Sequence, residues 1–167
     1  MADDDTKRIA VNVQAAISDE WHAHYYYWLG SIIITPPLEF VINEFKEHAL
    51  NEYEHASKLA GWLRAVPRQA TIPYTIGELD HNKSVCGSIF PSGNIPSAII
   101  ADAINGEKCA IIFYSNLDEL MDESVFCGGT TYGLSLKDIV RDILKDEKNH
   151  IAELYQLQED MIDHPIM

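Results

Sequence analysis

Between Leu136 and Met161 apolar residues return every three or four positions, and Leu136, Val140, Ile143, Glu147, His150, Leu154, Leu157 and Met161 trace one face of a long helix. Glu147 and His150 occupy places where a buried face would ask for leucine. A second row, Val41, Phe45, His48, Glu52, His55, Leu59 and Trp62, has the same period and the same Glu-x-x-His interruption. Two further rows carry one glutamate each. Ile9, Val13, Ala16 or Ile17, Glu20, Ala23 or His24, and Tyr27 form the first; Ile100, Ala103 or Ile104, Glu107, Ala110 or Ile111, Tyr114, Leu117 and Met121 form the second.

Breaking residues divide these rows into four helices. Thr6 or an upstream Asp can cap the first, which ends where Thr35-Pro36-Pro37 interrupts it. Pro37 suits a first turn and opens the second, which stops before Pro67; Ser97 caps the third. Cys127-Gly128-Gly129 and Gly133 turn the chain into the fourth, closed by Pro165. The predicted helices are about 6–34, 37–66, 97–122 and 134–163. Residues 67–96, rich in Pro, Gly, Ser and Asn, form a connection long enough to run the length of a bundle. Strand patterning is nearly absent. The expected fold is an all-α antiparallel four-helix bundle with one long crossover, a single domain over 1–167.

Size and charge narrow the function. A chain of 167 residues, 47% apolar, can bury a substantial core. No stretch of about 18 apolar residues is free of charge, and Met1-Ala2-Asp3-Asp4-Asp5 has neither a basic nor an apolar leader, so the expectation is a soluble, cytoplasmic protein. A net charge of -14, without Lys or Arg clusters, argues against nucleic acid and suits the attraction of divalent cations. Cys86, Cys109 and Cys127 are odd in number and unpatterned, which reads as a reducing compartment rather than a disulfide framework.

The polar interruptions carry the chemistry. Buried unpaired carboxylates cost several kcal/mol or more, so Glu20, Glu52, Glu107 and Glu147 need compensation. One glutamate from each of two helices and Glu-x-x-His from the other two is the donor set of di-iron and di-manganese carboxylate bundles. Four carboxylates and two divalent cations come close to neutrality. A third Glu-x-x-His, Glu78 to His81, lies on no apolar row and reads as a solvated loop pair. Tyr27 follows Glu20 by seven residues and Tyr114 follows Glu107 by seven, which puts each tyrosine on its glutamate's helix face, to hold a ligating carboxylate or supply an electron. Asn51 and Asp146 each precede a ligand glutamate and can reach the partner helix to orient a histidine. His48 reads as a core histidine or an accessory ligand. His22, His24, Tyr25, Tyr26 and Trp28 read as packing or subunit contacts, Cys109 as a small buried residue, and Cys109 with Cys127 as a candidate redox pair.

With these eight residues, Glu20, Tyr27, Glu52, His55, Glu107, Tyr114, Glu147 and His150, the chain resembles the ferritin superfamily, in particular bacterioferritins and related Dps-like proteins. Runs such as Glu52-Tyr53-Glu54-His55-Ala56 and Ile143-Leu144-Lys145-Asp146-Glu147 fit the same resemblance. It implies a ferroxidase that oxidises Fe(II) with O2 or H2O2 at an intrasubunit site for two iron ions, manganese being the other metal, and that stores or detoxifies iron in a cage. Tyr53 stands where the haem-ligating methionine of bacterioferritins would be, so no haem is expected. Only 17 residues follow His150, too few for a fifth helix, which favours a homo-oligomer of twelve over one of twenty-four. The acidic start departs from the basic DNA-binding tail of Dps proteins. The rival readings are a non-storage di-metal oxidase or peroxidase and a metal-free structural bundle.

Overall fold

In the computed structural model, which describes residues 2–65, 86, 91, 93–123 and 131–163, the chain forms four helices. They are α1 (Ala2–Ile33), α2 (Glu39–Ala65), α3 (Pro96–Glu123) and α4 (Thr131–Asp163), and no strand occurs among the described residues. At about 1.5 Å per residue each helix is roughly 40 to 50 Å long.

Local bonding sets where the helices begin. The Leu38 carbonyl accepts from the Ile42 N–H at 3.0 Å, so α2 opens at Glu39, two residues past the Pro37 start that the sequence suggests. Glu39 in the first turn faces the positive end of the helix dipole. At α3 the Ile95 carbonyl accepts from the Ala98 and Ile99 N–H groups at 3.0 Å. Pro96 is thereby the first helical residue, a position where its missing N–H costs nothing, and Ser97 lies inside the turn it was expected to cap.

Side-chain pairings fix the topology. Tyr27 meets Glu107 while Tyr114 meets Glu20, so α1 and α3 run antiparallel. Asn51 meets His150 while His55 meets Asp146, so α2 and α4 do too. Arg141 bonds Asp118 at 2.8 Å and Lys137 bonds Asp122, the antiparallel register of α3 and α4. The broadest contacts are α1 with α2 and α3 with α4; α2 with α4 and α1 with α3 close the square, leaving α2 and α3 on a diagonal. Parallel, diagonal helices start and end at the same heights. The chain leaving α2 must therefore climb the bundle before α3 can begin, which requires the long crossover. Of that crossover, Cys86, Pro91 and Gly93–Ile95 are described; Glu78, His81 and Cys127 lie outside the described residues.

Two apolar layers fill the bundle. One contains Ile9, Val13, Ile17, Leu59, Trp62, Leu117, Met121, Leu136, Val140 and Ile143. The other contains Tyr26, Ile34, Val41, Phe45, Ile99, Ile100, Ile104, Leu154 and Leu157. Along every helix the polar interruption falls between the two.

Candidate metal centre

All six predicted donors sit in that middle layer, Glu20, Glu52, His55, Glu107, Glu147 and His150 each being less than 5% exposed. They form two groups. In the first, His55 Nδ1 lies 3.1 Å from Glu52 Oε2, 3.2 Å from Glu147 Oε1 and 3.3 Å from Glu20 Oε2. In the second, His150 Nδ1 lies 3.1 Å from Glu52 Oε1, 3.7 Å from Glu147 Oε2 and 3.8 Å from Glu107 Oε1. Glu52 and Glu147 thus place one oxygen in each group, whereas Glu20 and Glu107 each belong to one.

Donor atoms that share one cation at about 2.0 to 2.2 Å stand roughly 3.0 to 3.5 Å apart at tetrahedral or octahedral angles. The spacings around His55 fall in that window. Glu20 Oε2, Glu52 Oε1, Glu147 Oε1 and His150 Nδ1 are also buried without a well-directed hydrogen bond, a costly arrangement that a cation between them would relieve. By spacing around His55, and by donor type and unmet bonding capacity around both histidines, the residues fit divalent cations, the His150 group being the wider of the two.

Without a cation the cluster balances its charge by taking up protons. Burial first, then the charges of Glu147 and Glu52, raise the Glu20 carboxyl well above its ordinary range; burial and Glu147 do the same to Glu107. Burial works against ionised Glu52 too, but hydrogen bonds from His150 and His55 overcome it and hold this carboxyl low. Glu147 is likewise lowered against its burial, by bonds from Glu107, His150 and His55. Burial disfavours charge on the imidazoles, yet their bonds to the carboxylates carry His55 far up and His150 to about 10. Protons on Glu20, Glu107, His55 and His150 supply the same charge as two divalent cations.

The surrounding residues orient the donors. Tyr27 on α1 donates to Glu107 Oε1 on α3, and Tyr114 on α3 donates to Glu20 Oε1 on α1. Each tyrosine serves the opposite helix's glutamate, a crossing that seven-residue spacing along one helix does not reveal. Both hydroxyls stay protonated, raised by burial and then by the carboxylate each one bonds. On the far side of the imidazoles, His55 Nε2 lies 3.3 Å from Asp146 Oδ2, and the Asn51 amide lies 3.2 Å from His150 Nε2.

Other expected residues take different places. His24 Nδ1 meets the Ala49 carbonyl at 2.6 Å, and Tyr26 donates to the Ile99 carbonyl at 2.9 Å, so both pack within the bundle. Trp28 is exposed. Cys109 is joined to Cys86 in a disulfide, which corrects the expectation of Cys109 as an unpaired small residue or as the partner of Cys127. No spacing rule links a helix cysteine to one in the crossover, so the pairing could not be read from the sequence. His48 is buried, stacks on His150 with ring centres 4.2 Å apart, and is pulled down to about 4 by burial and then by the charge on His150. Its Nε2 faces Glu44 and Glu153, which helical periodicity does not single out although Glu44 lies one turn before it.

A cavity of about 560 Å³ opens beside the cluster. Glu20, Glu52, Glu107 and Glu147 border it, Ala23, Tyr26, Ala103, Gly106 and Ala110 make apolar wall, and Cys86 and Pro91 approach from the crossover. No helix among the described residues is long and apolar enough to cross a membrane.

Among solved structures the chain matches a dodecameric thioferritin, the bacterioferritin-related protein from Bacteroides fragilis, with a TM-score of 0.80. The chain has the ferritin-like fold. The match covers 95% of this chain and 88% of that one at 23% sequence identity. No family model matches the sequence, and no curated protein does. Within the ferritin-like fold, the six polar donors occupy the middle of the bundle and the long crossover links the diagonal helices.

Proposed function

We propose that the chain is a ferroxidase that takes two Fe(II) ions per subunit at Glu20, Glu52, His55, Glu107, Glu147 and His150 and oxidises them with O2 or H2O2 for iron storage and detoxification. The observation that carries this reading is the division of Glu52 and Glu147, each with one oxygen toward His55 and one toward His150. Such carboxylates bridge two ions, and two adjacent Fe(II) ions can together deliver two electrons to one oxidant. His55 and His150 give up their Nδ1 protons on loading, and Asp146 holds the His55 ring in the ligating orientation. Tyr27 and Tyr114 pin the terminal carboxylates of Glu107 and Glu20 and are redox-active side chains in hydrogen-bond contact with the cluster. Manganese accepts the same donors and competes for the site.

Assembly into a shell of twelve is supported by the dodecameric B. fragilis neighbour and by exposed Trp28, Ile32, Leu50 and Tyr53 on α1 and α2, which offer apolar surface to other copies. Analytical ultracentrifugation after aerobic Fe(II) addition tests the whole reading. The expected result is a particle near twelve chains carrying many more than two irons per chain.

A second reading draws on the cavity. Its mixed lining, apolar at Ala23, Tyr26, Ala103 and Ala110 and polar at Asp19, His22, Asp102 and Asn105, suits a small organic substrate beside the cluster and supports a non-storage di-metal oxidase or peroxidase. A monomer or dimer that holds at most two irons per chain and consumes oxidant only with an organic co-substrate would establish this alternative instead.

A further inference from the structure

The Cys86–Cys109 disulfide joins the crossover to α3 beside the cluster. Cys86 borders the same cavity as Glu20, Glu52, Glu107 and Glu147, and its carbonyl oxygen lies 3.7 Å from where a Cβ on Gly106 would stand. The crossover therefore meets α3 one residue before a cluster glutamate. Cys109 follows Glu107 by two residues, about 3 Å along the helix axis. Both cysteines are only partly buried, so thiols in solution can reach the bond that joins them. Tyr26 and Tyr27 on the cavity wall can each give up one electron; among the described residues bordering the cavity, the cysteine pair is the group that gives up two at once.

We propose that Cys86 and Cys109 are a two-electron relay that carries reducing equivalents from an external dithiol to the iron pair, making the protein a thiol-dependent peroxide reductase. The inference rests on the di-iron reading of the six donors. Two thiols release two electrons and two protons and form one S–S bond, while two Fe(III) become two Fe(II). Oxidation of two Fe(II) by H2O2 breaks the O–O bond and takes up two protons to give two waters. Summed, two thiols and one H2O2 yield one disulfide and two waters, with the iron unchanged. The external dithiol then attacks the disulfide, passes through a mixed disulfide and leaves oxidised, restoring both thiols. With the pair reduced, peroxide is consumed while iron stays ferrous in place; with the pair oxidised, the same oxidation ends at Fe(III), the form that storage accumulates.

A single turnover of the full chain tests the relay. The protein, with its three cysteines reduced by a phosphine, is desalted without oxygen, loaded with two Fe(II) per chain, desalted again and given one H2O2 per chain. Free thiols are then counted by alkylation and mass spectrometry, and Fe(II) by a ferrous chelator. The wild type should fall from three free thiols to one, with Cys86 linked to Cys109 and both irons still ferrous. Cys86→Ser/Cys109→Ser should keep its remaining thiol and lose its Fe(II). Iron retained and oxidised in the wild type with all three thiols intact would overturn the relay and leave the cluster standing. Equally fast thiol loss in iron-free protein would also overturn it, because peroxide would then act on the cysteines directly. Failure of the reduced wild type to retain iron on desalting would overturn the di-iron reading and the relay together.

Discussion

The two Glu-x-x-His halves of the cluster are alike in sequence and unlike in space. Around His55 three carboxylate oxygens close to between 3.1 and 3.3 Å, and Asp146 backs the ring. Around His150 one oxygen stands at 3.1 Å and two at 3.7 and 3.8 Å, a neutral amide backs the ring, and His48 lies against its face. One half is drawn tight and supported by a carboxylate that strengthens the ligand; the other is looser and opens toward a carboxylate-rich edge. Repetition of a motif therefore sets which donors meet, while their neighbours set how tightly each group closes.

The largest effect removes what the halves share. Glu52→Ala with Glu147→Ala strips one donor pair from each group and should abolish metal binding at both, read as bound zinc per chain. An unchanged zinc content would reduce the polar layer to a structural feature.

Separating the halves comes next. Zn(II) titration of the wild type should show a tighter and a weaker step for the cluster; His55→Gln should remove the tighter and His150→Gln the weaker. Asp146→Asn, which leaves the His150 half its amide partner, should weaken the tighter step by about 10- to 100-fold and narrow the gap.

Acidity weakens both halves, because binding displaces protons from raised imidazoles and carboxyls. Each displaced proton lowers the apparent affinity by about tenfold for every pH unit of acidification. As pH rises toward 10, His150 loses its proton before the cation arrives and its half stops gaining affinity from that proton, whereas His55 remains protonated and its half continues to gain. Potentiometric titration in the presence of Zn(II) resolves the divergence.

The smallest effect concerns the tyrosines. Tyr27→Phe and Tyr114→Phe each remove a buried hydroxyl bonded to a carboxyl and should cost about 1 to 3 kcal/mol in chemical denaturation. Tyr114→Phe frees Glu20 of the tighter half and Tyr27→Phe frees Glu107 of the looser one. Their effects on the two zinc steps should accordingly be opposite in assignment.

Much of this architecture is legible in the order of residues alone. Rows of period three to four mark the helices, since burying one face of a helix imposes that period wherever the helix packs. The same rows expose the donors, because a glutamate or histidine on an otherwise apolar face must be compensated. Proline and glycine mark the connections through their backbone restrictions.

Other features depend on residues distant in the chain. Glu44 and Glu153 gain meaning only because antiparallel α2 and α4 bring them to His48, and Cys86 meets Cys109 only where the crossover reaches α3. The tyrosines cross to opposite glutamates because α1 and α3 are neighbours in the square. By itself the sequence determined which side chains face inward, a local property of each helix. The tertiary structure decided which inward side chains meet, at what distance and beside which cavity, because helix adjacency and register arise from packing the whole bundle.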